Sequence, residues 1–262
     1  MPKAAGIAYR ESGKPQTAAK HSPLILIHGA GGNALHWPPQ VRRMKGRWIL
    51  SVDLPGHGDS DPEGQSTIEG YVSCLETWLD ELAIERAIWA GHSMGGAISL
   101  MASLTLPSRV AGLILVGSGA RLRVHPSILD ATADAETLSS AIELIMSWAF
   151  SSKTSSQLVG LVGKRMAETL AHVLHHDFKA CDQFDVMSRL GEIRAPALVL
   201  CGQDDKLTAP KYSQYLSDHI PQASLRLFED AGHMVMLEKP DEVARVIQDF
   251  ITQIQLAPGE SG

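Results

Sequence analysis

Apolar residues along this chain gather in short unbroken runs, each halted by a turn of small or polar residues. Leu24-Ile25-Leu26-Ile27 runs into His28-Gly29-Ala30-Gly31-Gly32, and Trp48-Ile49-Leu50-Ser51-Val52 runs into Asp53-Leu54-Pro55-Gly56-His57-Gly58. A strand with one wet face alternates apolar and polar positions; an unbroken run suits a strand covered on both faces, as in a parallel sheet. The same pattern predicts strands over 87–90, 110–116, 197–201 and 224–228. Between them, apolar positions at helical spacing predict a helix over 68–82, with Tyr71, Leu75, Trp78, Leu79 and Leu82 on one face. Further helices are expected from about Met94, from about Pro210 and over 240–254, the last opened by Pro240 with Val243, Val246, Ile247, Phe250 and Ile254 facing inward. Alternating strands and helices predict an α/β fold, a mostly parallel central sheet with helices on both faces.

The interval 121–191 breaks that rhythm. It holds no convincing strand, whereas 138–148 and 158–174 have helical apolar spacing on either side of the polar stretch 151–157. It reads as a helical cap inserted between two strands and lying over the carboxyl edge of the sheet. The expected organisation is a core over 1–120, a cap over 121–190 and the rest of the core over 191–262. Ile142, Ile145, Met146, Trp148, Phe150 and Met166 are divided between the cap's own core and a pocket wall, in proportions the pattern leaves open. The tail 258–262 is expected to fray.

Length and composition narrow the function. A chain of 262 residues accommodates one α/β domain with one insertion. Apolar residues at 44% and 23 glycines exclude a disordered chain. No apolar run reaches the roughly eighteen residues that would span a bilayer, so no membrane association is expected. The first residues lack an apolar core of signal-peptide length. Cys74, Cys181 and Cys201 are odd in number and far apart, which fits reduced thiols in the cytoplasm and no metal-ligand spacing. A net charge of -6, with no basic block longer than Arg42-Arg43, excludes a nucleic-acid partner.

In open α/β sheets ligands bind beyond the carboxyl ends of the strands, and here those ends carry the reactive side chains. Gly91-His92-Ser93-Met94-Gly95 sits between an apolar run and a helix. A strand turning sharply into a helix would leave Ser93 exposed at the apex with strained torsions, and glycines on either side relieve crowding. A serine hydroxyl needs a base, and that base an orienting acid. The base is His233, in Ala231-Gly232-His233-Met234. Gly202-Gln203-Asp204-Asp205-Lys206 offers two carboxylates; Asp205 is preferred and Asp204 remains open. Two main-chain N–H groups must face the developing oxyanion, and those of Met94 and Ala30 are the candidates.

The loop Gly29-Ala30-Gly31-Gly32 lacks the spacing of a dinucleotide-binding turn and no Walker lysine follows, so no cofactor is expected. His28 reads as a hydrogen-bonder that fixes its loop, and Asp53 and His57 as fixing the turn around Pro55. His172, His175, His176 and Asp177 read as the polar end of a cap helix, with no metal bound. His92 is expected to point away from the active face.

Taken in order, His28-Gly29, Asp53-Leu54-Pro55-Gly56-His57-Gly58 with Ser60, the Gly91–Gly95 turn, Gly202-x-x-Asp205 with Pro210, and Gly232-His233 resemble the α/β-hydrolase superfamily, in its branch of small serine carboxylesterases. The chain order Ser, Asp, His is also that family's. The resemblance implies the α/β-hydrolase fold with its cap before the strand that precedes the acid, a Ser93–Asp205–His233 triad and oxyanion donors at Ala30 and Met94. It implies no metal or cofactor and a small-molecule ester as partner. A serine at the turn is unlike haloalkane dehalogenases and epoxide hydrolases, which use aspartate, and dienelactone hydrolase, which uses cysteine. The expected activity is hydrolysis of short- to medium-chain carboxylic esters through an acyl-enzyme. The alternatives keep the machinery and change the substrate: meta-cleavage-product C–C hydrolase, lactonase, amidase, perhydrolase, or a lyase on the route to menaquinone. Arg121, Arg123 or Arg165 would then bind a carboxylate. A hydrolase-like receptor is the alternative of another kind.

Overall fold

The computed structural model of the chain describes residues 1–15 and 21–256; the 258–262 tail lies outside them. Strands β1 (Lys3–Ala4), β2 (Ile7–Ser12), β3 (Leu24–Ile27), β4 (Ile49–Val52), β5 (Ala87–His92), β6 (Val110–Val116), β7 (Ala197–Gly202) and β8 (Ala223–Phe228) form one eight-stranded sheet in the order β1-β2-β4-β3-β5-β6-β7-β8. From β4 to β8 all pairings are parallel, while β1 with β2 and β2 with β4 are antiparallel.

The unbroken apolar runs have a direct cause. Ile25, Ile27, Leu50, Val52, Trp89, Leu113, Leu115 and Val199 face one hydrophobic cluster, and Leu24, Leu26, Ile49, Ile88, Ala90, Ile114, Val116, Leu198 and Leu200 face the other. Successive side chains point to opposite faces, so a sheet covered twice must be apolar at every position. Helices α1 (Pro39–Arg42), α2 (Ile68–Glu81) and α3 (Met94–Thr105) follow β3, β4 and β5. Thr67 caps α2 by accepting from Gly70 N–H at 3.1 Å. Ile68, Leu75, Ala97 and Ile98 from α2 and α3 join the first cluster; Val41 of α1 joins the second.

Between β6 and β7 the chain forms α4 (Pro126–Thr132), α5 (Leu138–Ala149), α6 (Ser156–Met166) and α7 (Ala171–Gln183). The single helix expected over 158–174 is thus two. Thr169 N–H returns to Met166 C=O at 3.1 Å, and Val173 N–H to Leu170 C=O at 3.0 Å, so the chain turns there without glycine or proline. Apolar spacing records which positions are buried, and it ran on across the turn because Val162 and Met166 before it and Val173 and Leu174 after it are all buried. The short α4 escaped the pattern as well, as did β1 and β2, whose pairing at the sheet edge leaves only Ala4, Ile7, Ala8 and Tyr9 buried. Helices α8 (Pro210–His219), α9 (Val235–Glu238) and α10 (Pro240–Leu256) complete the chain, with Val243, Ile247, Phe250 and Ile251 of α10 buried in the second cluster. Among the described residues, no helix is long and apolar enough to cross a membrane.

Candidate active site

Ser93 lies between β5 and α3 with φ 53° and ψ -116°, outside the regions an L-residue ordinarily occupies. The turn is tight enough that a Cβ on Gly91 would collide with the main chain of Gly95, and one on Gly95 would stand 2.5 Å from the Ile27 carbonyl oxygen. The elbow is held from behind, where Ser93 N–H donates to Val116 C=O at 2.9 Å and Ser118 Oγ donates to Ser93 C=O at 2.9 Å. With the backbone bonded on the sheet side, the Ser93 side chain faces a cavity.

The loop after β7 carries Asp205, and the segment after β8 carries His233. Their side chains meet, Nδ1 of His233 lying 2.9 Å from Oδ2 of Asp205, and both residues are buried. A carboxylate only accepts, so Nδ1 holds the proton and Nε2 is left as the basic nitrogen. Asp205 also accepts from the N–H groups of Leu207 and Thr208 on Oδ1, at 2.9 and 2.8 Å, and from Thr208 Oγ1 on Oδ2 at 2.8 Å. Burial pushes the Asp205 carboxyl up, but His233 and the Thr208 donors outweigh it and hold the group below the usual carboxylate range. Asp204, left open above, is engaged elsewhere: its Oδ2 accepts from Ser151 Oγ at 2.6 Å. Thr208 was not singled out from the sequence. The signal was available in the Asp-x-x-Thr spacing at a helix entry, where a side-chain oxygen takes up free N–H groups.

His92 departs from expectation. It lines the cavity beside Ser93, its ring 4.6 Å from that of His233. Its Nε2 lies 3.0 Å from the His233 carbonyl oxygen and therefore donates; its Nδ1 then accepts from His36 Nε2 at 2.9 Å. As the last residue of β5, it belongs to the turn as much as to the strand, so strand alternation does not set its direction. Burial, and then the neighbouring His233, hold its pKa well below the usual imidazole value. Such a group is neutral when folded and takes up a proton on unfolding, so stability falls as pH drops below about 6.5. His92→Gln is expected to flatten the pH dependence of urea-unfolding stability between pH 5 and 6 by about 1.4 kcal/mol per pH unit, the slope of one proton. His57 leaves this window undisturbed. Burial lowers its pKa, but Asp177 outweighs burial and raises it, so His57 is protonated in both states there.

The first loop is fixed as expected. His28 donates from Nδ1 to Gly29 C=O at 2.7 Å and accepts on Nε2 from Leu54 N–H at 3.0 Å. Asp53 accepts from Ala34 N–H at 2.6 Å and Asp59 N–H at 2.9 Å. His57 Nδ1 meets Pro55 C=O at 3.0 Å and its Nε2 meets Asp177 Oδ2 at 2.9 Å. Asp177 itself corrects the reading of a polar helix end: it is fully buried. The signal was its register on α7, where it shares a face with Val173, Leu174, Ala180 and Cys181. The nearby His172 and His176 have ring centroids 6.3 Å apart, and among the described residues no group of His, Cys, Asp and Glu is placed to hold a metal.

Ser93, His233 and Ala30 open onto one cavity of about 540 Å³, within the range of small-molecule sites. Ile145, Trp148, Met166 and Phe178 of the inserted helices supply an apolar wall. Ile142, Met146 and Phe150, grouped with Ile145, Trp148 and Met166 on sequence, do not line the cavity; they are buried in the second hydrophobic cluster, to which Ile145 and Met166 also belong. Arg121, Arg123 and Lys206 also line the cavity, and among the described residues no Asp or Glu does. Arg165 lies elsewhere, its guanidinium donating to Leu35 C=O at 3.5 Å. Met94, at the head of α3, is fully buried.

A strained serine elbow at the carboxyl edge of a largely parallel sheet, on one cavity with a buried histidine–aspartate pair, is the arrangement of a hydrolase. The chain belongs to the alpha/beta hydrolase family, whose model matches residues 24–246. A 2-hydroxy-6-oxo-6-phenylhexa-2,4-dienoate hydrolase of Comamonas testosteroni is 30% identical over 268 residues, covering 94% of this chain and 91% of that one. Among solved structures, a thermophilic esterase superposes with a TM-score of 0.80 at 29% identity, covering 95% of this chain and 98% of that one. The enol-lactonase of Burkholderia xenovorans LB400, at 23% identity, shares the fold with a TM-score of 0.87, covering 94% and 96% of the two chains.

Proposed function

We propose that the protein is a serine carboxylesterase acting on short- to medium-chain esters, with Ser93 as nucleophile, His233 as base and Asp205 as the acid that orients it. The observation that carries this reading is the Asp205–His233 pair, fixed in one tautomer, on the same cavity as a strained serine. Ser93 Oγ attacks the ester carbonyl as its proton passes to His233 Nε2. The carbonyl π-electrons move to oxygen, where the N–H groups of Ala30 and Met94 receive the charge. Collapse breaks the C–O bond, and the alcohol leaves with the proton from His233. Water, deprotonated by His233, then attacks the acyl-enzyme and regenerates Ser93 with release of the acid. The apolar wall of the cavity supports an aliphatic acyl or alcohol group. The reduced cysteines Cys74, Cys181 and Cys201 support a cytoplasmic location.

A second reading is favoured by the three cations on a cavity wall without carboxylates. They suit a substrate carrying a carboxylate, like the dienoate in the name of the Comamonas relative, and with it the alternative of a meta-cleavage-product C–C hydrolase. Turnover of p-nitrophenyl acetate, butyrate and octanoate, measured beside a vinylogous diketone acid, separates the two. The ester reading expects multiple turnovers of the p-nitrophenyl esters. Negligible ester turnover with rapid diketone cleavage would replace it with the second.

A further inference from the structure

We propose that Asp177 is a positioning residue for the oxyanion loop: from the inserted helix α7, its buried carboxylate holds the Gly31 N–H and so sets the direction of the neighbouring Ala30 N–H. The inference rests on the catalytic reading of Ser93 and Ala30 given above. Asp177 Oδ2 accepts from Gly31 N–H and from His57 Nε2, each at 2.9 Å, and Oδ1 accepts from Tyr71 Oη–H at 2.5 Å. His57 Nδ1 faces a carbonyl oxygen and Nε2 a carboxylate, so both nitrogens donate and the ring is an imidazolium paired with Asp177.

Gly31 meets the insertion at several further points. Its carbonyl accepts from Thr169 Oγ1 at 3.3 Å, and a Cβ added to it would stand 2.8 Å from Leu174 Cδ1 and 3.0 Å from Met166 Cγ. Its φ of +64° is one that glycine adopts without strain. The other end of the loop is held from the core by His28. Ala30 thus lies between one anchor on the sheet and one on the insertion, and a donor is useful to an oxyanion only if it is already aimed. A buried ion pair is a poor device for stability alone, since apolar residues of similar size serve as well or better. The neighbours of Asp177 on the buried face of α7 are apolar in just that way. What the carboxylate adds is direction: it fixes one main-chain N–H at one point.

The test uses the full-length protein with p-nitrophenyl butyrate, each rate normalised to the sites titrated by a fluorophosphonate, together with the rate of Ser93 phosphonylation. Asp177→Leu is expected to lower kcat by up to about 10²-fold, the cost of a small misplacement in a preorganised site. KM should change little, and phosphonylation, whose transition state also places charge on oxygen, should slow in parallel. Asp177→Asn keeps an oxygen for Gly31 and turns its NH₂ toward the Tyr71 hydroxyl, and should recover most of the loss. Where Asp177→Leu yields no folded protein, Asp177→Ser, too short to reach Gly31, is read the same way. Unchanged per-site kcat, a fall in kcat without slower phosphonylation, or an Asn variant no better than Leu overturns the clamp. Failure of the wild-type protein to be labelled at Ser93 overturns the catalytic reading itself, and the clamp with it.

Discussion

Replacing Ser93 with alanine is expected to lower kcat for p-nitrophenyl butyrate by about 10⁶-fold, the scale seen when the nucleophile of a serine hydrolase is removed. Cys181 lines the same cavity, but burial and the nearby carboxylates hold its thiol protonated. The fold should survive, because the contacts that hold the elbow run through the main chain of Ser93, not its hydroxyl. Alanine adopts the same positive φ that Ser93 already bears, so no extra backbone strain is introduced and Tm should change little. Fluorophosphonate labelling should disappear together with turnover. A variant that kept multiple-turnover hydrolysis would place the nucleophile elsewhere, and a wild type that bound ligand without turnover would be a receptor.

Asp205→Asn carries the next largest effect, a fall in kcat of about 10⁴-fold, and the hydrogen bonds around it say why. The N–H groups of Leu207 and Thr208 both point at Oδ1 and require an acceptor there. The asparagine oxygen is therefore drawn to that side, and its NH₂ group faces His233 Nδ1. A donor facing Nδ1 forces the imidazole proton onto Nε2, the nitrogen that must accept from Ser93. Asp204→Asn removes a charge one residue away but leaves the Nδ1 proton alone, and should keep kcat within a few-fold of wild type. Its expected effect is confined to the Ser151 contact. Equal losses in the two variants would mean that local charge matters and the tautomer does not. A loss confined to Asp204→Asn would reverse the assignment.

These expectations draw unequally on sequence and structure. The strands β3 and β6 match the apolar runs residue for residue, because burial on both faces leaves no polar position to blur the boundary. The edge strands β1 and β2 gave no such signal, and the turn between α6 and α7 was hidden by apolar spacing that ran through it. Asp205 could be preferred over Asp204 only by resemblance. What separates them is where each carboxylate points, and adjacent residues in a loop do not differ in composition or spacing on that point. Arg121 and Arg123 reach the cavity and Arg165 does not, a distinction that depends on how the inserted helices lie over the sheet.

By itself, the order of apolar runs and halting turns determined the α/β architecture, the serine elbow and the edge of the sheet where the reactive side chains gather. It could do so because each depends on local periodicity or on steric limits within a few consecutive residues. Only the tertiary structure decided which partners those side chains meet: Asp204 against Ser151, His92 against His233, and Asp177 reaching from α7 to Gly31. Such contacts join positions far apart in the chain through groups whose directions are set by packing, and no local pattern records them.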